Sequence, residues 1–264
     1  MTDTSTAMPK SPLGVGKIIS ESFSILFSNI VKVMILGFVG AFLGYLLTGL
    51  LVGFDTAAGQ VDPVAAQDIG GMFAGLGVSF VITIIIYSLI TAMIIQLAYD
   101  AKLGRSNSLG EYFSGAIGPL IPVIILSVVV TIAMMIGMMA LIIPGLWAYA
   151  VFYVFVPAAV IEKTGFNSLG RSVALTKEYR WPIVGLFIVM GIIAGILSAI
   201  PGFIGGFLLA TAGGGGSLIA FGVLMSVINA FAYGLSAIAV ALTYARLREI
   251  KEGVAVDQIA AVFE

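Results

Sequence analysis

Two stretches without any Asp, Glu, Lys or Arg constrain this chain more than anything else in it. One covers the 50 residues between Glu111 and Glu162, the other the 65 residues between Arg180 and Arg246. A helix crosses the hydrocarbon of a bilayer with about 20 apolar residues, so each stretch has room for two crossings. With 9% charged residues, against roughly 25% in a soluble domain, water cannot hold such a chain as a monomer. The reading is an all-α, polytopic membrane protein.

The organising segment runs from Ile143 to Pro182. An apolar run ends at Ile143, turns at Pro144-Gly145 and returns from Leu146 to Ile161 before Glu162-Lys163. A broken-up, charged piece follows, with Arg171, Lys177, Glu178 and Arg180, until Trp181-Pro182 opens the next apolar run. This pattern predicts a membrane hairpin followed by a segment on the bilayer surface.

Six spans are expected, at about 33–54, 72–99, 120–143, 146–161, 182–200 and 218–244. Residues 1–14 read as a disordered N-terminal segment, 15–251 as the membrane domain and 252–264 as a tail. The first apolar run, Val33–Phe54, is 22 residues long. A signal h-region has about 7 to 15, so a retained span is expected. Ahead of it, Ile19, Phe23, Leu26 and Ile30 recur at helical spacing opposite Lys17, Ser20, Glu21, Ser24 and Ser28. That periodicity fits an amphipathic interfacial helix and equally a helical extension of the first span. Within that span, Gly40 with Gly44 and Gly49 with Gly53 have the spacing that admits a close helix neighbour.

The chain repeats itself. Ser108-Leu109-Gly110 is followed fourteen residues after the serine by Pro122, and Ser168-Leu169-Gly170 at the same spacing by Pro182. The copies close on Ile143-Pro144-Gly145 and Ile200-Pro201-Gly202. Each unit reads as surface helix, spanning helix, outer turn and spanning return, in parallel orientation. Pro182 suits a first helical turn and biases Trp181 away from helix, so a bend is expected there. Pro157 is expected to bend the fourth span. Trp147 and Tyr149 fall where an outer aromatic belt would lie, Trp181 where an inner one would. Residues 202–217 read as either an outer loop or a partly inserted helix.

Six spans with the N-terminus inside put all twelve cations, in groups of 3, 2, 4 and 3, on the inner side. The three outer loops then hold none. By the positive-inside rule both termini are cytoplasmic in a bacterial inner membrane.

Chemistry is sparse. The absence of cysteine and histidine removes disulfides, thiol nucleophiles, the commonest general base and the usual transition-metal ligands. No cofactor is expected, no basic field suggests nucleic acid, and Gly213–Gly216 lacks the Lys-Ser/Thr of a phosphate loop. The spans carry no ionisable residue of the kind that proton-coupled carriers and pumps place at membrane depth. Asn229 is the costliest uncharged polar group there. It reads as an interhelical hydrogen bond, with Tyr45, Tyr87 or Tyr233 as partner, or as a substrate contact. The segment Glu162–Trp181 carries four cations and two carboxylates, and anionic headgroups attract such cations by about 1 kcal/mol each. Lys163, Arg171, Lys177, Arg180 and Trp181 are therefore candidate contacts to lipid or a partner, against the plainer reading that they only set topology. Asn167 or Ser168 is placed to cap a helix there.

The run Ile143-Pro144-Gly145-Leu146-Trp147, continuing through Tyr153, Pro157, Glu162, Gly165, Ser168-Leu169, Arg171-Ser172, Leu175-Thr176 and Trp181, resembles the membrane domain found ahead of bacterial glycerophosphodiester phosphodiesterases and the stand-alone YciC-like inner-membrane proteins. The resemblance is best over about 141–190. It implies a six-helix membrane protein without the diesterase barrel, and no catalytic residue carries over. The expected function is non-enzymatic: a structural, accessory or scaffold module acting on membrane lipids, another membrane protein or a second copy of itself, with a role in envelope lipid homeostasis. The alternative is a carrier for a small amphiphile or lipid.

Overall fold

The computed structural model describes residues 12–60, 69–212 and 215–253. The expected N-terminal disorder up to residue 11, Asp62 and Asp68 between the first two spans, Gly213-Gly214 and the tail from 254 lie outside the described residues. Among those described there is no strand. The chain forms α1 (Val15–Ser28), α2 (Ile30–Val52), α3 (Phe54–Ala57), α4 (Ile69–Lys102), α5 (Leu109–Ala140), α6 (Ile142–Phe152), α7 (Phe155–Ile161), a 3-10 turn at Gly165–Asn167, α8 (Ser168–Thr176), α9 (Arg180–Ala212) and α10 (Gly215–Glu252).

Six helical stretches are long and apolar enough to cross a membrane: α2, α4, α5, α6 with α7, α9 and α10. The chain is a multi-pass membrane protein. Its outside is apolar as well as its inside: Val31 is 68% exposed, Phe203 81% and Met139 86%. Large exposed apolar surface on a monomer marks a face that meets something other than water, and here it surrounds the bundle. The buried core draws on every described helix except α3, with Ile94, Ile95, Leu186, Leu235, Ile238 and Leu247 nearly inaccessible.

Helix α1 is a separate element, because the chain breaks at Asn29 (φ −121°, ψ 25°) before α2 begins. It buries Ile18, Ser22, Ile25 and Leu26, chiefly against α10. The close approach of α2 falls at Gly37, where an added Cβ would sit 2.7 Å from the Cα of Ala230 on α10. Gly40 faces Ile90 of α4 and Gly49 the ring of Phe54, whereas Gly44 meets nothing within 4 Å and Gly53, at φ 92°, ends the helix. Of the two paired glycine motifs only Gly40 lies against another spanning helix, so neither pair acts as a unit.

The helices outrun the spans read from the sequence. The 33 residues of α9 extend about 50 Å at 1.5 Å per residue, beyond the roughly 30 Å of hydrocarbon. Pro201-Gly202, expected to close the fifth span, lies inside α9, so residues 202–212 are helix. A spanning helix tolerates the lost N–H because neighbours and local adjustment re-satisfy the carbonyl. The turn expected at Pro144-Gly145 falls instead at Leu141, which is extended (φ −165°, ψ 149°). Pro144 then occupies the first turn of α6, where its missing N–H costs nothing. Gly137 and Gly145 face each other across this tight hairpin, an added Cβ at Gly137 falling 2.9 Å from the Cα of Gly145.

The two repeat copies also differ. Ser108 caps α5 with a full capping box to Glu111, and α5 continues through Pro119 and Pro122 with no separate surface helix ahead of the span. In the second copy the chain breaks, but at Lys177 (ψ 130°) and Glu178 (φ 76°) rather than at Trp181. Trp181 and Pro182 belong to the first turn of α9.

Candidate functional site at the charged end of the bundle

The fourth span is interrupted at Tyr153-Val154, between α6 and α7. Pro157 explains the break: it has no N–H to give the carbonyl four residues back, that of Tyr153. Helix α8 repairs it from the side. The Ser172 hydroxyl accepts from the Val154 N–H at 3.3 Å and donates to the Val151 carbonyl at 2.9 Å. The Thr176 hydroxyl lies 3.1 Å from the same carbonyl. Ser168, one turn earlier, donates to the Gly165 carbonyl and meets the Thr164 hydroxyl at 2.9 Å. Ser168, Ser172 and Thr176 are all fully buried, so α8 presents a polar stripe to the bundle. Neither Asn167 nor Ser168 caps α8 with its side chain.

Docked in this way, α8 carries Arg171 to Glu162. The guanidinium donates from Nε and Nη2 to the two carboxylate oxygens, both at 2.8 Å, and also pairs with Glu252 at the end of α10. Arg248 lies 3.4 Å from Glu162 and 3.0 Å from Glu252, and the Tyr244 hydroxyl donates to Glu162. Two arginines and two glutamates thus cancel in a half-buried cluster. Burial pushes the Glu162 carboxyl up, but hydrogen bonds from Arg171 and Tyr244 and the charges of Arg171 and Arg248 outweigh it and leave it below its ordinary range. The same hydrogen bond, opposed by burial and assisted by Glu252, holds Arg171 charged well above any accessible pH.

Other ion pairs join the helices at this end. Lys251 pairs with Glu178 at 3.2 Å and Lys102 with Glu21, while Arg246 pairs with Glu249 at 2.8 Å within α10 itself. Lys32 donates to the Ser106 hydroxyl at 2.9 Å and the Asn107 carbonyl at 2.8 Å. The eleven described cations, all but Lys10, sit on or beside these helix ends.

The five surface candidates separate here. Arg171 is held by Glu162 and Glu252. Arg180 lies 4.5 Å over the Trp147 ring with its Nε buried and without a hydrogen-bond partner, an arrangement in which the ring face supports the cation. Trp147 is therefore engaged by a residue of the charged end, and Tyr149 packs on Phe187 and Tyr153 instead of forming an outer belt. Lys163, Lys177 and Trp181 are exposed, Trp181 by 65%. Asn229 donates to Met225 of its own helix at 2.8 Å and faces outward, so the cross-helix bond expected of it is not made. The interhelical polar contacts come instead from Tyr45, which donates to the Leu218 carbonyl at 2.8 Å, from Thr91 with Tyr233, and from Gln96, which donates to the Tyr112 carbonyl at 3.2 Å. Several serines and threonines of the spans bond one turn back, Thr91 to Tyr87, Ser226 to Gly222 and Ser236 to Ala232, whereas the buried Ser79 hydroxyl has no partner.

Three cavities bear on function. Two open at the charged end: about 310 Å³ between α1 and α10, beside Lys17 and Arg246, and about 490 Å³ between α4, α5 and α7. The third, about 120 Å³, lies among Tyr87, Thr91, Ser127 and Tyr233. Glu162 entered the sequence reading only as the edge of the charged segment and a member of the motif run, with no partner assigned to its carboxylate. The Arg248-Glu252 pair had a visible four-residue spacing, but its link to Glu162, 86 residues away, had no local signal.

No family model, curated protein or solved structure matches the chain.

Proposed function

We propose that this chain is a non-enzymatic scaffold or accessory module of a bacterial inner membrane, with its charged end and both termini in the cytoplasm, acting through contacts to lipid and to other helices. The observation that carries this is the Arg171–Glu162–Arg248–Glu252 cluster. It neutralises its own charges and ties α7, α8 and α10 into one closed end, leaving Lys163, Lys177 and Trp181 exposed toward headgroups. Cations near such a surface attract anionic lipid, and an exposed Trp favours the interfacial zone. The resemblance of residues 141–190 to membrane domains that accompany glycerophosphodiester phosphodiesterases supports a role in envelope lipid homeostasis.

Purification in native nanodiscs followed by mass spectrometry tests the reading. The expected result is a lipid or a membrane-protein partner, including a second copy, retained in stoichiometric amount, with reconstituted vesicles that pass no solute. Flux of an amphiphile through those vesicles contradicts it and favours the carrier reading. The cavity among Tyr87, Thr91 and Tyr233 is what speaks for a carrier. At about 120 Å³ it is smaller than the 300 to 1,000 Å³ of typical small-molecule pockets.

A further inference from the structure

The cavity of about 490 Å³ between α4, α5 and α7 has an unusual wall. Helix α5 carries Pro119 and Pro122 in its interior. Each removes the N–H that would serve the carbonyl four residues back, which are those of Gly115 and Gly118. Both glycines are exposed and line the cavity. Gln96, on α4, commits its amide N–H groups to the carbonyls of Ala92 and Tyr112, each at 3.2 Å. Its oxygen is thereby turned toward Gly115, where any added Cβ would collide with it. The Gln96 oxygen and two carbonyls deprived of their helical N–H thus belong to residues that line one space. At its rim stands Lys163, exposed, in the left-handed turn (φ 55°) after α7.

Beside this wall α5 presents Ile117, Ile121 and Ile125, 50%, 67% and 45% exposed and one turn apart. They form an apolar strip that runs from the cavity along the bundle's outside. A ligand fitting all of this has an anionic group for Lys163, several N–H donors for the acceptors, and hydrocarbon for the strip.

We propose that this cavity holds the headgroup of a phospholipid bearing a primary ammonium, its phosphate at Lys163 and its ammonium at the Gly115, Gly118 and Gln96 oxygens, with its acyl chains along Ile117, Ile121 and Ile125. The proposal rests on the scaffold reading above, because it makes the lipid a resident rather than a cargo. A trimethylated head keeps the charge but has no N–H donor, so the acceptor wall discriminates against it.

The test reconstitutes the protein in nanodiscs containing equal amounts of phosphatidylethanolamine and phosphatidylcholine with identical chains, and measures retained lipid by native mass spectrometry. Wild type is expected to retain the ethanolamine lipid by about tenfold over the choline lipid, the equivalent of one charge-assisted hydrogen bond. Lys163→Asn removes the cation while tolerating the left-handed backbone, and Gly118→Leu fills open space in which a Cβ meets nothing within 4 Å. Lys163→Asn should lower retention of both lipids, since each carries the phosphate, whereas Gly118→Leu should lose the preference. Gly191→Leu, at an equally open and exposed position on α9, should keep it.

Equal retention of the two lipids by wild type, unchanged lipid retention in Lys163→Asn, an unchanged preference in Gly118→Leu, or binding of soluble phosphoethanolamine as strongly as of the lipid would overturn the site. Those results would leave vesicles impermeable and the scaffold reading intact. Solute flux with lipid preference preserved would do the reverse.

Discussion

Ser172 and Thr176 both reach the carbonyl of Val151, but they are not equivalent. Only Ser172 also receives the Val154 N–H. Ser172→Ala leaves that buried donor without a partner, which costs about 1 to 3 kcal/mol. Thr176→Val leaves the carbonyl still served by Ser172 and should cost clearly less. Unfolding in mixed micelles of each variant measures the difference, and equal losses would mean that α8 is not repairing the break. Glu162→Gln is expected to destabilise by about 2 kcal/mol, the order of a lost charged hydrogen bond, by leaving Arg171 and Arg248 to share Glu252. The pH dependence has a definite sign. The Glu162 carboxyl is held below its ordinary value of 4.5. Its contribution is therefore present above that pH and lost as pH falls below it. Wild type should lose stability on acidification below about pH 4.5 more steeply than Glu162→Gln, which has no such proton to take up.

Among the helices, the sharpest contrast is between glycines of α2 that look alike in sequence. Gly37→Ala would force α2 and α10 apart, since the colliding atom is the backbone of Ala230. Overpacking of that kind costs about 1 to 3 kcal/mol. Gly44→Ala meets nothing and should be neutral or stabilising by up to about 1 kcal/mol through helix propensity. Thermal unfolding of the two variants in detergent decides it, and equal effects would mean the helices do not meet as described. The spacing of small residues announces that some neighbour approaches, not which glycine it touches, because the register is set by the far helix. The same limit explains Pro144 and Pro201. Read as turn markers, they placed breaks where helix continues, since a first-turn position or a spanning helix absorbs a missing N–H. Pro157 was legible because its missing N–H falls within a span, where it frees the carbonyl four residues back. Even there, the side chains that repair the break lie on another helix, beyond any local pattern.

At the level of the whole molecule, six crossings followed from where charge was missing, because hydrocarbon tolerates so few ionised groups. Hydrophobic run lengths underestimated the helices, which continue past the hydrocarbon as α4, α9 and α10 do. The cation sorting foretold one charged end but not its internal chemistry. Which cations pair within the bundle and which face outward depends on Glu21, Glu162, Glu178 and Glu252 meeting partners up to 86 residues away, Glu162 with Arg248 being the farthest. The proposed topology puts this single end on one side of a membrane and the α2–α4 loop on the other. The absence of native cysteine makes single-cysteine labelling free of background. Cysteines at the exposed positions Arg105, Lys177 and Gln60 would be probed in sealed vesicles with an impermeant maleimide. Arg105→Cys and Lys177→Cys should react from one compartment, the cytoplasmic one, and Gln60→Cys only from the opposite one. Reaction of Gln60→Cys and Arg105→Cys from the same compartment would contradict the arrangement.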